Sequence, residues 1–171
     1  MRIVGGKFAD RALTSPNDSR VRPTAEPIRA ALLDQLAAEV TGARVVDLFA
    51  GTGALGLEAI SRGARSADFV EFRPASLHAL RANIAALRLR ERTRVFKRDA
   101  IPFAEALDRD SYDIAFADPP YESRVLERII ATWLGSRFSR ALAVEHARSH
   151  RLPRGSFHRT FGDSAITIFR A

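Results

Sequence analysis

Residues 44–56, Arg44-Val45-Val46-Asp47-Leu48-Phe49-Ala50-Gly51-Thr52-Gly53-Ala54-Leu55-Gly56, decide the fold. A short apolar run rich in β-formers turns through glycines directly into a helical stretch at about 54–62, which is the opening of a strand-turn-helix unit. The same alternation continues downstream. Apolar runs at 67–70 (ADFV), 93–96 (TRVF), 112–117 (YDIAFA) and 141–144 (ALAV) are separated by helical stretches at about 74–89, 101–107 and 122–134, with Pro74 and Pro102 placed to start helices. Strands alternating with helices imply an α/β fold with a mainly parallel sheet covered on both faces. The last stretch, 156–170, reads as two strands, SFHRTF and AITIFR, turning at Gly162-Asp163, and so short a connection requires an antiparallel pair. Upstream, Pro27 followed by Ile28, Leu32, Leu33 and Leu36 predicts an amphipathic helix over about 26–40. Before it, short β-like stretches at Arg2 to Val4 and Arg11 to Leu13 lie among turn formers and suggest a small hairpin and basic arm. The expected organisation is an arm over 1–25 and one globular domain over 26–171.

The 171 residues are one domain's worth of chain, which leaves no room for a separate substrate-binding module. With no cysteine there is no disulfide, no thiolate zinc site and no Cys nucleophile. No apolar run approaches a bilayer span and no signal-peptide core follows Met1, so a cytoplasmic protein without membrane contact is expected. The net charge of +7 hints at a polyanion, but Lys7 and Lys97 are the only lysines, and 25 arginines beside 29 alanines are what a GC-rich genome imposes. The distribution is more informative: residues 72–98 carry eight basic and one acidic side chain, 99–127 two and eight, and 128–171 eight and two.

Chemistry is expected where the strands end. Glycines 51 and 53 allow close backbone approach to a ligand at a helix N-terminus, and Glu71, ending the next strand, can accept ribose hydroxyls. That spacing also fits a dinucleotide site, but the Asp47 carboxylate would repel a pyrophosphate. It suits a ligand carrying an ammonium and a sulfonium, as S-adenosylmethionine does. The fourth strand ends in Asp118-Pro119-Pro120-Tyr121. Neither proline donates an N–H and each holds its predecessor extended, so the strand stops with Asp118 and its carbonyls at the C-terminal edge, where α/β sheets bind ligands. The Asp118 carboxylate and the Pro119 carbonyl can accept the hydrogens of an exocyclic amino group, and Tyr121 offers a face on which a base can stack.

The set VVDLFAGTGALGLEAISRGA, FVE, KRDA and DPPY resembles class I S-adenosylmethionine-dependent methyltransferases that modify amino groups. With the opening MRIVGGKFADRAL, the RPT element at Arg22 to Thr24 and the closing GDSAITIFR, the chain resembles, nearly end to end, the RsmD family of 16S rRNA guanine-N2 methyltransferases. The resemblance implies a Rossmann-like, seven-stranded, mostly parallel sheet with the last strand antiparallel. It assigns Asp47, Gly51 and Gly53 to the methionine end of the cofactor, with Phe49 also in the cofactor-binding set, Glu71 to the ribose, and Asp99 with Ala100 to the adenine. Asp118, Pro119, Pro120 and Tyr121 would hold the target base as the catalytic residues. The family's RPT element continues with a basic and then an acidic residue on the same helix, where this chain has Pro27 and Ala30.

The implied reaction is displacement by a guanine amino nitrogen on the cofactor's methyl, with the site holding both N–H groups and Asp118 or water taking the released proton. A histidine or cysteine base is unnecessary. The base must come from a loop or be flipped out of 16S rRNA in an assembling small ribosomal subunit. Lys7, Arg11, Arg20, Arg22, Thr24 and Arg29 are the candidate RNA contacts. His146 and His150 near Glu145 read as surface histidines and not as metal ligands, Trp133 reads as core, and a monomer without metal is expected. The alternatives are an amino-methyltransferase acting on adenine N6, and a non-catalytic RNA-binding module with a vestigial cofactor pocket.

Overall fold

The alternation expected from the sequence runs through the computed structural model, which describes residues 1–17, 24–121 and 124–171. Helices α1 (Glu26–Gln35) and α2 (Ala37–Val40) precede β1 (Arg44–Asp47), α3 (Ala54–Ser61), β2 (Ser66–Val70), α4 (Pro74–Ala86) and β3 (Thr93–Phe96). Then follow α5 (Ala100–Glu105), β4 (Tyr112–Ala117), α6 (Val125–Ser136), β5 (Ser139–Ala147), β6 (Phe157–Phe161) and β7 (Ser164–Arg170). The seven strands form one sheet in the order β3-β2-β1-β4-β5-β7-β6. Strands β1 to β5 pair in parallel, whereas β7 runs antiparallel to both β5 and β6. The reversed strand therefore lies inside the sheet, with β6 at the rim.

Each face of the sheet carries its own apolar layer. On one, Leu32, Leu33 and Leu36 from the first helical segment and Leu57 and Ile60 from α3 pack over Val45, Phe69, Phe116 and Ile166. On the other, Leu126, Ile129 and Trp133 of α6 pack over Val46, Ala115, Leu142 and Phe169. Trp133 is a core residue, as expected, with its indole N–H donating to the Ser139 carbonyl at 2.9 Å.

Three boundaries differ from the sequence reading. The helix expected over 26–40 breaks at Leu36, which leaves helical geometry at φ −100° while staying fully buried, and Val40 beyond the break also enters the core. Strand β5 extends to Ala147 because Glu145 and His146 continue the ladder with β7; their polarity hid the strand from an apolar-run reading. The opening hairpin is reduced to a single antiparallel bridge between Arg2 and Ala12, yet Ile3 and Leu13 are buried in the main core, so the arm packs onto the domain. Among the described residues no helix is long and apolar enough to cross a membrane.

Candidate active site

Asp47 ends β1 with its side chain buried. Its Oδ2 accepts the Gly56 N–H at 3.2 Å, and Oδ1 is buried with no hydrogen-bond partner among the described residues. Burial, opposed by the Gly56 hydrogen bond and helped by the nearby Glu71 charge, pushes the Asp47 carboxyl up to about 7. The turn that follows needs glycine at 51 (φ 53°) and 53 (φ 82°), and a Cβ on Gly53 would lie 2.4 Å from Leu80 Cδ1 of α4. Asn83, also on α4, donates to the Thr52 carbonyl at 2.9 Å and to the Thr14 carbonyl at 3.0 Å, tying arm and glycine turn together.

Glu71 leaves β2 and closes the other wall. Its Oε2 accepts the Gly51 N–H at 2.9 Å, and its Oε1 accepts the N–H groups of Phe72 and Arg73, each at 2.8 Å. Those bonds leave Oε2 one lone pair for an incoming hydroxyl, fewer than the sequence reading allowed. Asp99 caps α5 by accepting the Ile101 N–H at 3.0 Å, ahead of buried Ala100. Phe49 is half-buried against the α5 and α6 layer. Sequence reasoning passed over Phe72, which is 55% exposed beside Glu71 and offers an aromatic face at the same edge; an aromatic directly after a strand-ending carboxylate was the available signal.

The Asp118-Pro119-Pro120-Tyr121 turn leaves β4 on the strand adjacent to β1, and Leu48 N–H donates to the Phe116 carbonyl at 3.0 Å, so the two carboxylate-bearing strand ends are stitched side by side. The Thr24 hydroxyl donates to Asp118 Oδ2 at 2.8 Å, so Thr24 faces the carboxylate. The Tyr121 hydroxyl meets Glu145 Oε1 of β5 at 2.8 Å and Ser164 Oγ of β7 at 2.7 Å. Burial first, with the Glu145 charge adding to it against the Ser164 bond, pushes the phenol up to about 12, so Tyr121 stays neutral.

The expected RNA contacts that lie among the described residues are not brought together. Arg29 is fully buried: its Nε donates to Glu58 Oε2 at 3.2 Å and its other nitrogens to the Thr24 carbonyl at 3.2 Å and the Arg2 carbonyl. Glu58 also accepts the N–H groups of Val4 at 2.9 Å and Gly5 at 2.8 Å. Arg29 is thus a structural link between arm, α1 and α3, which corrects its placement on a surface. Because Arg62 also donates to Glu58 Oε1 at 3.0 Å, it is removal of the carboxylate that strands a buried charge: Glu58→Ala leaves Arg29 without its partner and is expected to cost about 3 to 5 kcal/mol, read as a large fall in thermal midpoint, and an unchanged midpoint would contradict the pairing. Lys7 and Arg11 are exposed, but the Lys7 N–H bonds Ser61 O at the end of α3 and Arg11 bonds Ala86 O at the end of α4. Both helices start at the glycine edge and run away from it, so these side chains lie toward the opposite edge. Arg20 and Arg22 fall outside the described residues.

His146 is buried on β5, contrary to its reading as a surface residue. Its ring meets Thr167 Oγ1 and the Ala147 carbonyl, each at 2.9 Å, and burial holds its pKa below the ordinary histidine value. His150 pairs with Glu127 at 2.8 Å. Among the described residues no cluster of ligands suits a metal ion.

Comparison with known proteins places the chain among relatives. The profile of the family described as Conserved hypothetical protein 95 matches residues 1–158. Ribosomal RNA small subunit methyltransferase D of Escherichia coli K12 is 38% identical over 130 residues, covering 76% of this chain and 65% of the relative's length. The protein of the same name from Haemophilus influenzae is 29% identical over 77% of this chain and 69% of its own. The solved structure of a hypothetical protein from Thermus thermophilus superimposes with a TM-score of 0.84 at 31% identity, over 100% of this chain and 99% of that one.

Proposed function

Because the chain belongs to the RsmD family of ribosomal RNA methyltransferases, we propose that it transfers a methyl group from S-adenosylmethionine to the exocyclic N2 of a guanine in 16S rRNA, in the cytoplasm, during small-subunit assembly. The observation that carries this reading is the pairing of two carboxylate-bearing strand ends: Asp47, with a buried oxygen that no described residue hydrogen-bonds, and Asp118, on the neighbouring strand. The cofactor's ammonium fits Asp47 Oδ1, a ribose hydroxyl fits the remaining lone pair of Glu71 Oε2, and Asp99, Ala100 and Phe72 border the place for its adenine, with Phe49 behind them. When bound, the cofactor supplies a methyl group made electrophilic by its sulfonium.

The chain's own work falls to the Asp118 turn. A guanine amino nitrogen is a poor nucleophile because its lone pair is shared with the ring. Holding both N–H groups, one on the Asp118 carboxylate and one on the Pro119 carbonyl, favours a pyramidal nitrogen with its lone pair released. Thr24 fixes one Asp118 oxygen and so sets the orientation in which the carboxylate meets the base and takes the departing proton. Neutral Tyr121, anchored through its hydroxyl to β5 and β7, keeps its ring at the turn as a stacking surface. Incubating the protein with methyl-labelled cofactor and either small subunits or naked rRNA tests the substrate class. Label in 16S rRNA is expected, and label confined to 23S rRNA would overturn the assignment.

A further inference from the structure

Of the described arm residues expected to meet RNA, Lys7 and Arg11 lie toward the opposite edge and Arg29 is buried, while a different basic surface opens beside the Asp118 turn. Strand β5 leaves the sheet beside the Asp118 turn: Ala117 is level with Val144, and the connection 148–156 departs from Ala147 at the same C-terminal edge. This connection, Arg148-Ser149-His150-Arg151-Leu152-Pro153-Arg154-Gly155-Ser156, has three arginines and no acid. It roofs a cavity of about 630 Å³ whose floor is His146, His158 and Thr167. Arg148, Arg151 and Arg154 are exposed, and among the described residues none of them enters an ion pair. Both ends of the connection are pinned. Arg148 N–H donates to the Asp163 carbonyl at 2.7 Å, Ser156 N–H to the Ile168 carbonyl at 2.8 Å, and a Cβ on Gly155 would lie 2.6 Å from that same carbonyl oxygen. Glu127 of α6 pairs with His150 of the connection at 2.8 Å.

A pinned row of unpaired guanidiniums over a cavity with hydrogen-bonding histidine and threonine walls suits successive phosphates, which are regularly spaced anions with several acceptors each. We infer that the connection 148–156 is the backbone-binding groove for the RNA strand on one side of the flipped base, starting at the Asp118 turn and running down the β7 and β6 side of the sheet. The inference rests on the proposed RNA substrate and adds where that substrate is gripped.

The test compares the triple variant Arg148→Ala/Arg151→Ala/Arg154→Ala with a triple variant of equal charge change at the opposite edge, Arg65→Ala/Arg109→Ala/Arg140→Ala. Kd for a 16S rRNA fragment is measured across salt concentrations. The groove variant is expected to bind about tenfold more weakly at low salt and to reduce the slope of log Kd against log salt by about 2, with cofactor affinity unchanged. The opposite-edge variant should keep the wild-type slope, and replacement of the three groove arginines by lysine should restore it. A groove variant with the wild-type slope overturns the inference and leaves the methyl-transfer reading standing. A wild-type protein that binds with the expected slope yet transfers no methyl group does the reverse.

Discussion

Asp118→Ala is expected to cripple methyl transfer while leaving cofactor affinity within a few-fold of wild type. The expected loss in kcat is about a thousandfold, because one carboxylate both orients the amino nitrogen and offers a destination for its proton. Cofactor affinity is expected to survive because the groups assigned to the cofactor, Asp47, Glu71 and Asp99, sit at the end of β1, just after β2 and just before α5, while Asp118 leaves β4 and accepts from Thr24. Single-turnover transfer with saturating cofactor, alongside calorimetric titration of the cofactor alone, separates the two effects. Turnover near wild type would contradict a catalytic role for the strand end.

Asp47→Asn is expected to weaken cofactor binding by about a hundredfold and, at pH 8, to stabilise the ligand-free protein. Both effects come from one buried carboxylate whose pKa rises to about 7 from an ordinary value of 3.8. Between roughly pH 4 and 7 the folded state holds the Asp47 proton more tightly than the unfolded state, so this group's contribution makes stability fall as pH rises through that window and level off above it. Asn removes the ionisation and with it the loss. Binding of the cationic cofactor runs the other way: wild-type affinity should improve from pH 6 to pH 8 as Asp47 ionises, and the Asn variant should lose that pH dependence. Wild-type binding that is flat with pH, together with an Asn variant no more stable than wild type, would place the cofactor's ammonium elsewhere.

The parts of the site that could be read in the sequence are those that local chemistry fixes. A strand that must end at Pro119 puts Asp118 on the sheet edge whatever the rest of the chain does, and the glycine turn does the same for Asp47. Arg29 shows the limit. It lies three and four residues before Leu32 and Leu33 and so shares their buried face, but its partner Glu58 is supplied by another helix that no local pattern connects to it. Lys7 and Arg11 lie away from their expected edge because closeness to the active-site segments in sequence says nothing about which edge of the sheet the arm crosses. The groove over His146 was hidden for a topological reason: it exists because β7 inserts between β5 and β6, which forces the 148–156 connection across the face of the sheet.

The most direct measurement of the central claim is the identity of the nucleoside that carries label after wild-type protein, methyl-labelled S-adenosylmethionine and small-subunit rRNA are combined and the RNA is digested for mass spectrometry. Label in N2-methylguanosine, lost with Asp118→Ala, is the expected result. Label in N6-methyladenosine, or none despite cofactor binding, would contradict it.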